Sequence, residues 1–130
     1  MGLDNGVVVK KNDKTAGIED RLSALFDEDK YSNEYHVVYY RKCYNIRNEI
    51  LYIINHRFDE EYEFSLDIED VEQIIEYLSS LNYDNWEDSG QSIWEWNEME
   101  EHIKRDIDNL NILVGLMQEH DLDVMFYDSY

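Results

Sequence analysis

Residues 37–50 read VVYYRKCYNIRNEI, and how this stretch folds decides the architecture of the chain. Tyr39, Cys43, Ile46, Ile50 and Ile53 fall within one stripe when each residue turns 100°, which predicts an amphipathic helix over about 36–57. Arg41, Asn45, Asn48 and Tyr52 then project from the opposite side. The same stretch holds much of the chain's positive charge. Between Tyr35 and Phe58 stand Arg41, Lys42, Arg47 and Arg57 against the single acid Glu49.

Working outward toward the C-terminus, SLDIEDVEQIIEYLSSLN (65–82) opens with capping-type residues and sets Ile68, Val71, Ile74, Ile75 and Leu78 on one face. It predicts a second helix over about 66–82. The polar NYDNWEDSGQS reads as a loop. A third helix follows over about 93–119, with Trp96, Met99, Ile103, Ile107, Leu110, Val114 and Met117 on one side and Gly115 as a weak point. Toward the N-terminus, DEDKYSNE reads as a loop, and Ile18, Leu22, Leu25 and Phe26 mark a short helix before it. Val7 to Val9 form a β-branched run between Asn5-Gly6 and Asn12-Asp13, the pattern of a strand between turns. The tail LDVMFY is rich in strand formers and can pair with that first strand. The expectation is a single α+β domain over 1–130: three main helices, a short N-terminal helix, and a small sheet joining the two ends.

Composition bounds the function. A chain of 130 residues with a 43% hydrophobic share can bury one core. Its one cysteine cannot form an internal disulfide, and the N-terminus lacks the order of a signal peptide, so a reducing cytoplasm is the expected setting. No apolar run approaches the roughly 20 residues needed to cross a bilayer. The formal charge of −20 repels nucleic acid and anionic lipid and favours encounter with basic protein surfaces.

That charge is concentrated. From Asp59 to Ile103 there is no Lys or Arg, while the stretch carries Asp59, Glu60, Glu61, Glu63, Asp67, Glu69, Asp70, Glu72, Glu76, Asp84, Glu87, Asp88, Glu95, Glu98, Glu100 and Glu101. Carboxylates spaced along helices can imitate the phosphates of a duplex, whereas a plain solvated acidic face would do no more than keep the chain dispersed.

Specific chemistries find little footing. The stretch DNWEDSGQSIWE (84–95) has the length of an EF-hand loop, but Trp86 stands at the third ligand position and Gly90 is one place late. His36, His56, His102 and His120 are scattered without metal spacing, so no metal and no cofactor is expected. Cys43 lies on the apolar stripe as a packed thiol, and no nucleophile elbow or phosphate-binding glycine loop occurs. The chain does not read as an enzyme.

The start MGLD, the segment YYRKCYNI, the helix LDIEDVEQIIEYL, the acidic-aromatic third helix and the tail VMFYDSY together resemble a family of small phage and prophage proteins. Members open MGLDMYL, carry a YWRKAN-type segment and end in an aromatic-rich tail. Here Asn5-Gly6-Val7 replaces MYL, Tyr40 stands at the tryptophan, and Cys43-Tyr44 replaces the small-residue step. The resemblance implies a phage-type setting and carries over no activity and no site residue.

The leading expectation is therefore a non-enzymatic anti-defence inhibitor, anti-CRISPR or anti-restriction in type. It would bind the basic nucleic-acid groove of a host protein through Asp67, Glu69, Asp70, Glu72, Glu76, Glu87, Asp88, Glu95, Glu98, Glu100 and Glu101, with Trp86, Trp94 and Trp96 as candidate apolar anchors; the other reading of these tryptophans is that they pack into the core. One alternative is a sponge or sensor that binds a small anionic nucleotide through Arg41, Lys42 and Arg47, with tyrosines stacking on a base. Another is a dimeric interaction module whose acids only solubilise it.

Overall fold

A computed structural model describes residues 4–31, 33–54, 63–89 and 94–129. His56, Arg57, Asp59 to Glu61, Gly90 and Ile93, to which the sequence reading gave places, lie outside the described residues. Among the described residues the chain forms β1 (Asp4–Lys10), α1 (Glu19–Leu25), β2 (Asp27–Asp29), β3 (Glu34–Arg41) and α2 (Tyr44–Ile53). It continues with β4 (Glu63–Ser65), α3 (Ile68–Ser80), α4 (Tyr83–Ser89), α5 (Trp96–Glu119) and β5 (Val124–Ser129). The class is α+β, with one antiparallel sheet of five strands in the order β2-β3-β1-β5-β4.

The expected helix over 36–57 is two elements. Glu34–Arg41 is strand β3, paired along β1, and the helix begins only at Tyr44. The reason is local and long-range at once. Tyr35, Val37, Val38, Tyr39 and Tyr40 are β-branched or aromatic and suit a pleated, buried surface. Lys42 adopts φ 56, a left-handed turn that no continuous helix could contain. Tyr39, placed on the apolar stripe by helical spacing, is 44% exposed, whereas Cys43, Ile46 and Ile50 are buried. The register of β1 on β3 shifts between Val7 and Val8, which leaves Val37 as the extra residue of a bulge.

The sheet is larger than the two terminal strands alone. β1 and β5 do pair antiparallel, Val7 opposite Phe126 and Val9 opposite Val124. Asp27–Asp29, read as loop, forms β2 against residues 34–36, and Glu63–Ser65 adds β4 to the far edge. The polar loop after α3 contains the short helix α4.

Alternation along the strands separates two faces. Val7, Val9, Val124, Phe126, Val38 and Tyr40 join Ile46, Ile50, Ile74, Ile103 and Leu110 of the helices in one core. Phe64 of β4 stacks on Phe126 at 6.4 Å. The other face carries Gly6, Val8, His36, Met125 and Tyr127, with His36 edge-on to Tyr127 at 6.0 Å. α3 starts at a capping box, in which Asp67 Oδ1 accepts from the Asp70 N–H at 2.8 Å and Asp70 Oδ2 accepts from the Asp67 N–H at 3.1 Å. On α5 the buried positions are Met99, Ile103, Asp106, Leu110, Leu113 and Leu116, so an aspartate occupies a core site.

Candidate functional site

The acidic residues divide by what they do locally. Asp67 and Asp70 cap α3, and burial pushes the Asp70 carboxyl up while the Asp67 N–H pulls it back. Glu98 accepts from the Glu95 N–H at 2.9 Å and so closes the start of α5. Glu100 and Glu101 flank Lys104 at 3.7 and 3.6 Å. Glu69, Glu72, Glu76, Glu87 and Asp88 are exposed, and no cation lies within ion-pair distance of any of them among the described residues. Glu69, Glu72 and Glu76 follow each other at i+3 and i+4, which puts them in one row along α3 with roughly 5–6 Å between neighbours. α3 and α4 both pack on α5, so one helical layer carries the whole set.

The tryptophans part company. Trp86 is 2% exposed, donates its Nε1–H to the Trp94 carbonyl at 2.8 Å and tilts against Trp96 at 5.9 Å. It is a core residue, because α4 turns that side of the supposed loop inward, and it is not available as a surface anchor. Trp94 is 38% exposed and donates its Nε1–H to the Arg41 carbonyl at 2.8 Å.

Nor do the three cations converge. Arg47 grips Asp128 of β5 through two hydrogen bonds of 2.8 Å, and both side chains are largely buried. The burial of this pair within the fold removes Arg47 from any anion site. Lys42 is half-buried at the left-handed turn. Arg41 is exposed and makes no ion pair among the described residues. It borders a cavity of about 370 Å³ walled by Tyr39, Tyr40, Cys43, Trp94, Met99 and His102, with Glu98 at its rim.

A second cleft, of about 470 Å³, lies on the other side of Tyr39 and His102 and reaches Asp27, His36, Arg105, Asp106 and Asn109. Between the two clefts runs the edge of β3 beyond residue 36, where β2 has ended. Three of its carbonyls are met by side chains instead of a strand: Asn109 Nδ2 donates to Val37 at 3.3 Å, His102 Nε2 lies 3.3 Å from the Tyr39 oxygen, and Trp94 serves Arg41. The guanidinium of Arg105, which can only donate, sits 2.9 Å from His102 Nδ1. That fixes the tautomer with the proton on Nε2, 3.1 Å from Asp106 Oδ2. Burial pushes the Asp106 carboxyl up to about 6, and the neighbouring His102, Tyr40 hydroxyl and Arg105 hold it from rising further.

This Tyr40–Asp106–His102 cluster escaped the sequence reading. A signal was present: Asp106 sits three residues after Ile103 and four before Leu110, within the apolar stripe of α5. No protein family, curated protein or solved structure compared with the chain matches it. No helix among the described residues is long and apolar enough to cross a membrane.

Proposed function

We propose that the chain is a phage-type, non-enzymatic inhibitor that occupies the basic nucleic-acid groove of a host defence protein, a CRISPR effector or a restriction enzyme, in the bacterial cytoplasm. One observation carries the reading: Glu69, Glu72, Glu76, Glu87 and Asp88 face solvent without a cation, while Lys10, Lys11, Lys14, Arg21, Arg47 and Lys104 are paired to acids elsewhere. A fold that used its acids only for internal pairing would bring cations to α3. Keeping the row uncompensated leaves repulsion that a basic groove would relieve on binding, with release of the counterions held by both partners. Competition is the test. The protein should displace duplex DNA or guide RNA from its target, less well as salt rises, and Glu72→Gln/Glu76→Gln/Glu87→Gln should weaken displacement at least tenfold. Retained potency in that variant, or salt-independent binding of a dimeric module, removes the mimicry reading.

A second reading rests on Arg41. With Tyr39 and Trp94 beside it, the 370 Å³ cavity has the size and the flat aromatic walls for one nucleotide base, and the guanidinium would meet its phosphate. Calorimetry with nucleotides separates the two: saturable heat lost in Arg41→Ala favours the cavity, and no heat removes it.

A further inference from the structure

The four histidines are far apart in sequence, yet the sheet gathers a different set. Asp29 on β2 pairs directly across from Glu34 on β3, and His36, two residues along, shares their face. The three side chains bring one oxygen, one oxygen and one nitrogen to within 4.8 Å of each other. His36 Nε2 lies 3.4 Å from Asp29 Oδ2 and 3.7 Å from Glu34 Oε1.

The contact of His36 Nε2 with Asp29 Oδ2 is a long hydrogen bond at 3.4 Å, and Glu34 Oε1 stands farther off. A charge-assisted N–H···O⁻ bond closes to about 2.7–2.9 Å, and a single Nε2 proton serves one acceptor well, not two. Two donors bound to one tetrahedral cation at about 2.0–2.1 Å stand about 3.3 Å apart, close to the 3.4 Å between His36 Nε2 and Asp29 Oδ2 and somewhat under the 3.7 Å to Glu34 Oε1.

One oxygen of each carboxylate is engaged by a neighbouring donor. Asp29 Oδ1 accepts from the Tyr31 N–H at 3.0 Å, so Oδ2 is the oxygen turned to His36. Glu34 Oε2 accepts from Lys10 Nζ at 2.9 Å, so Oε1 is the oxygen turned to His36. Fixing the outer oxygen of each ligand is what the surroundings of a metal site do. Lys10 offsets part of the repulsion between the directly opposed carboxylates. The Glu34 side chain is 10% exposed, Asp29 33% and His36 26%, which leaves a route for a hydrated ion and room for water to complete its shell.

We propose that Asp29, Glu34 and His36 bind one zinc-type divalent cation on the outer face of the sheet, where it fastens β2 to β3. An imidazole beside two carboxylates selects a first-row transition ion over magnesium or calcium, which take oxygen donors. β2 has three residues and a single strand neighbour, so a bond from Asp29 to two β3 side chains closes the edge that is least held by backbone pairing. The site lies on the sheet face that carries Val8 and Tyr127 and is independent of the acidic mimicry reading.

The test is calorimetric titration of the chelator-treated full chain with ZnCl₂, MgCl₂ and CaCl₂, with melting curves taken with and without zinc. The expected result is one saturable zinc site per chain that magnesium and calcium do not fill. Affinity should fall at least tenfold in both His36→Gln and Asp29→Asn and stay unchanged in His120→Gln, and zinc should raise the melting temperature of the parent and of His120→Gln but not of the two site variants. Asp29→Asn keeps size and half-exposed placement, so it remains decisive if His36→Gln, which loses its edge contact with Tyr127, melts early. Absence of saturable zinc binding up to about 1 mM, which means a binding free energy weaker than about −4 kcal/mol, overturns the proposal. So does equal zinc binding by the parent and Asp29→Asn.

Discussion

Arg47 of α2 and Asp128 of β5 meet fork to fork, Nε to Oδ1 and Nη2 to Oδ2, both at 2.8 Å, with side-chain exposures of 14% and 9%. This pair accounts for one of the three cations in the 37–50 segment of a strongly acidic chain, whereas Arg41 makes no ion pair among the described residues. Arg47 joins the helix after β3 to the last strand, next to the buried Asn5 that faces Asp128 across the sheet.

Removing one side of such a pair leaves the other charged and buried, a loss of about 3–5 kcal/mol. Arg47→Met should therefore lower the urea midpoint steeply, and Asp128→Leu should do the same. Arg47→Met/Asp128→Leu should regain most of the loss, because two apolar groups of similar volume leave no unpaired charge. A double variant no better than the worse single one would mean that the pair is not the coupling between α2 and β5.

Asp106 sets a pH signature. Its folded value of about 6 lies above the ordinary 3.8, so between about pH 4 and 6 the folded state holds a proton that the unfolded chain has released. Stability from this group is greatest below pH 4, declines as pH rises through 6 and is fully lost above it. A shift of about two pH units corresponds to at most about 3 kcal/mol. Asp106→Asn should be the more stable protein at pH 8 and lose its advantage toward pH 4. His102 Nε2–H keeps an acceptor in that variant. Urea stability of parent and variant, subtracted at each pH, cancels the many other carboxylates; a difference that is flat from pH 4 to 8 contradicts the assignment.

What could be read from the residues alone follows from how each element is stabilised. α3 and the middle of α5 carry long apolar stripes, and α3 has its Asp67–Asp70 capping box, so local signals suffice. The terminal strands were legible because Val7 to Val9 and VMFY have no competing period. β3 was not: Tyr39, Cys43, Ile46 and Ile50 keep helical spacing across the junction, and nothing in Lys42 announces a left-handed turn. The choice was made by β1, thirty residues upstream, which offers a ladder to Glu34–Arg41. The same limit applies to sites. Glu69, Glu72 and Glu76 depend on one helix and were visible, whereas Asp29 opposite Glu34 depends on strand register, which no single segment states.

The row on α3 predicts a salt response. Glu72 and Glu76 are i,i+4 like charges with no cation nearby, so Glu76→Gln should stabilise the fold by about 0.3–0.5 kcal/mol at low ionic strength. In about 1 M NaCl the screening length falls to about 3 Å and the gain should vanish. Melting temperatures of parent and variant across a salt series read this directly. A gain that persists at high salt would come from helix propensity and not from relieved repulsion.

Two glycines separate a steric requirement from mere tolerance. A Cβ on Gly6 would run into the Val38 carbonyl oxygen, a backbone atom that the β1–β3 ladder holds in place, and would also crowd the Tyr127 ring at 3.1 Å. Gly115 lies inside α5, and apart from its chain neighbours and the backbone of its own helix no atom stands within 4 Å of where its Cβ would be. Gly6→Ala should lose about 1–3 kcal/mol or more, since the strand must shift away from β3. Gly115→Ala should gain about 0.5–1 kcal/mol through helix propensity alone. Thermal melts of the two variants against the parent should move in opposite directions, and a Gly6→Ala protein as stable as the parent would show that β1 does not approach β3 as closely as described.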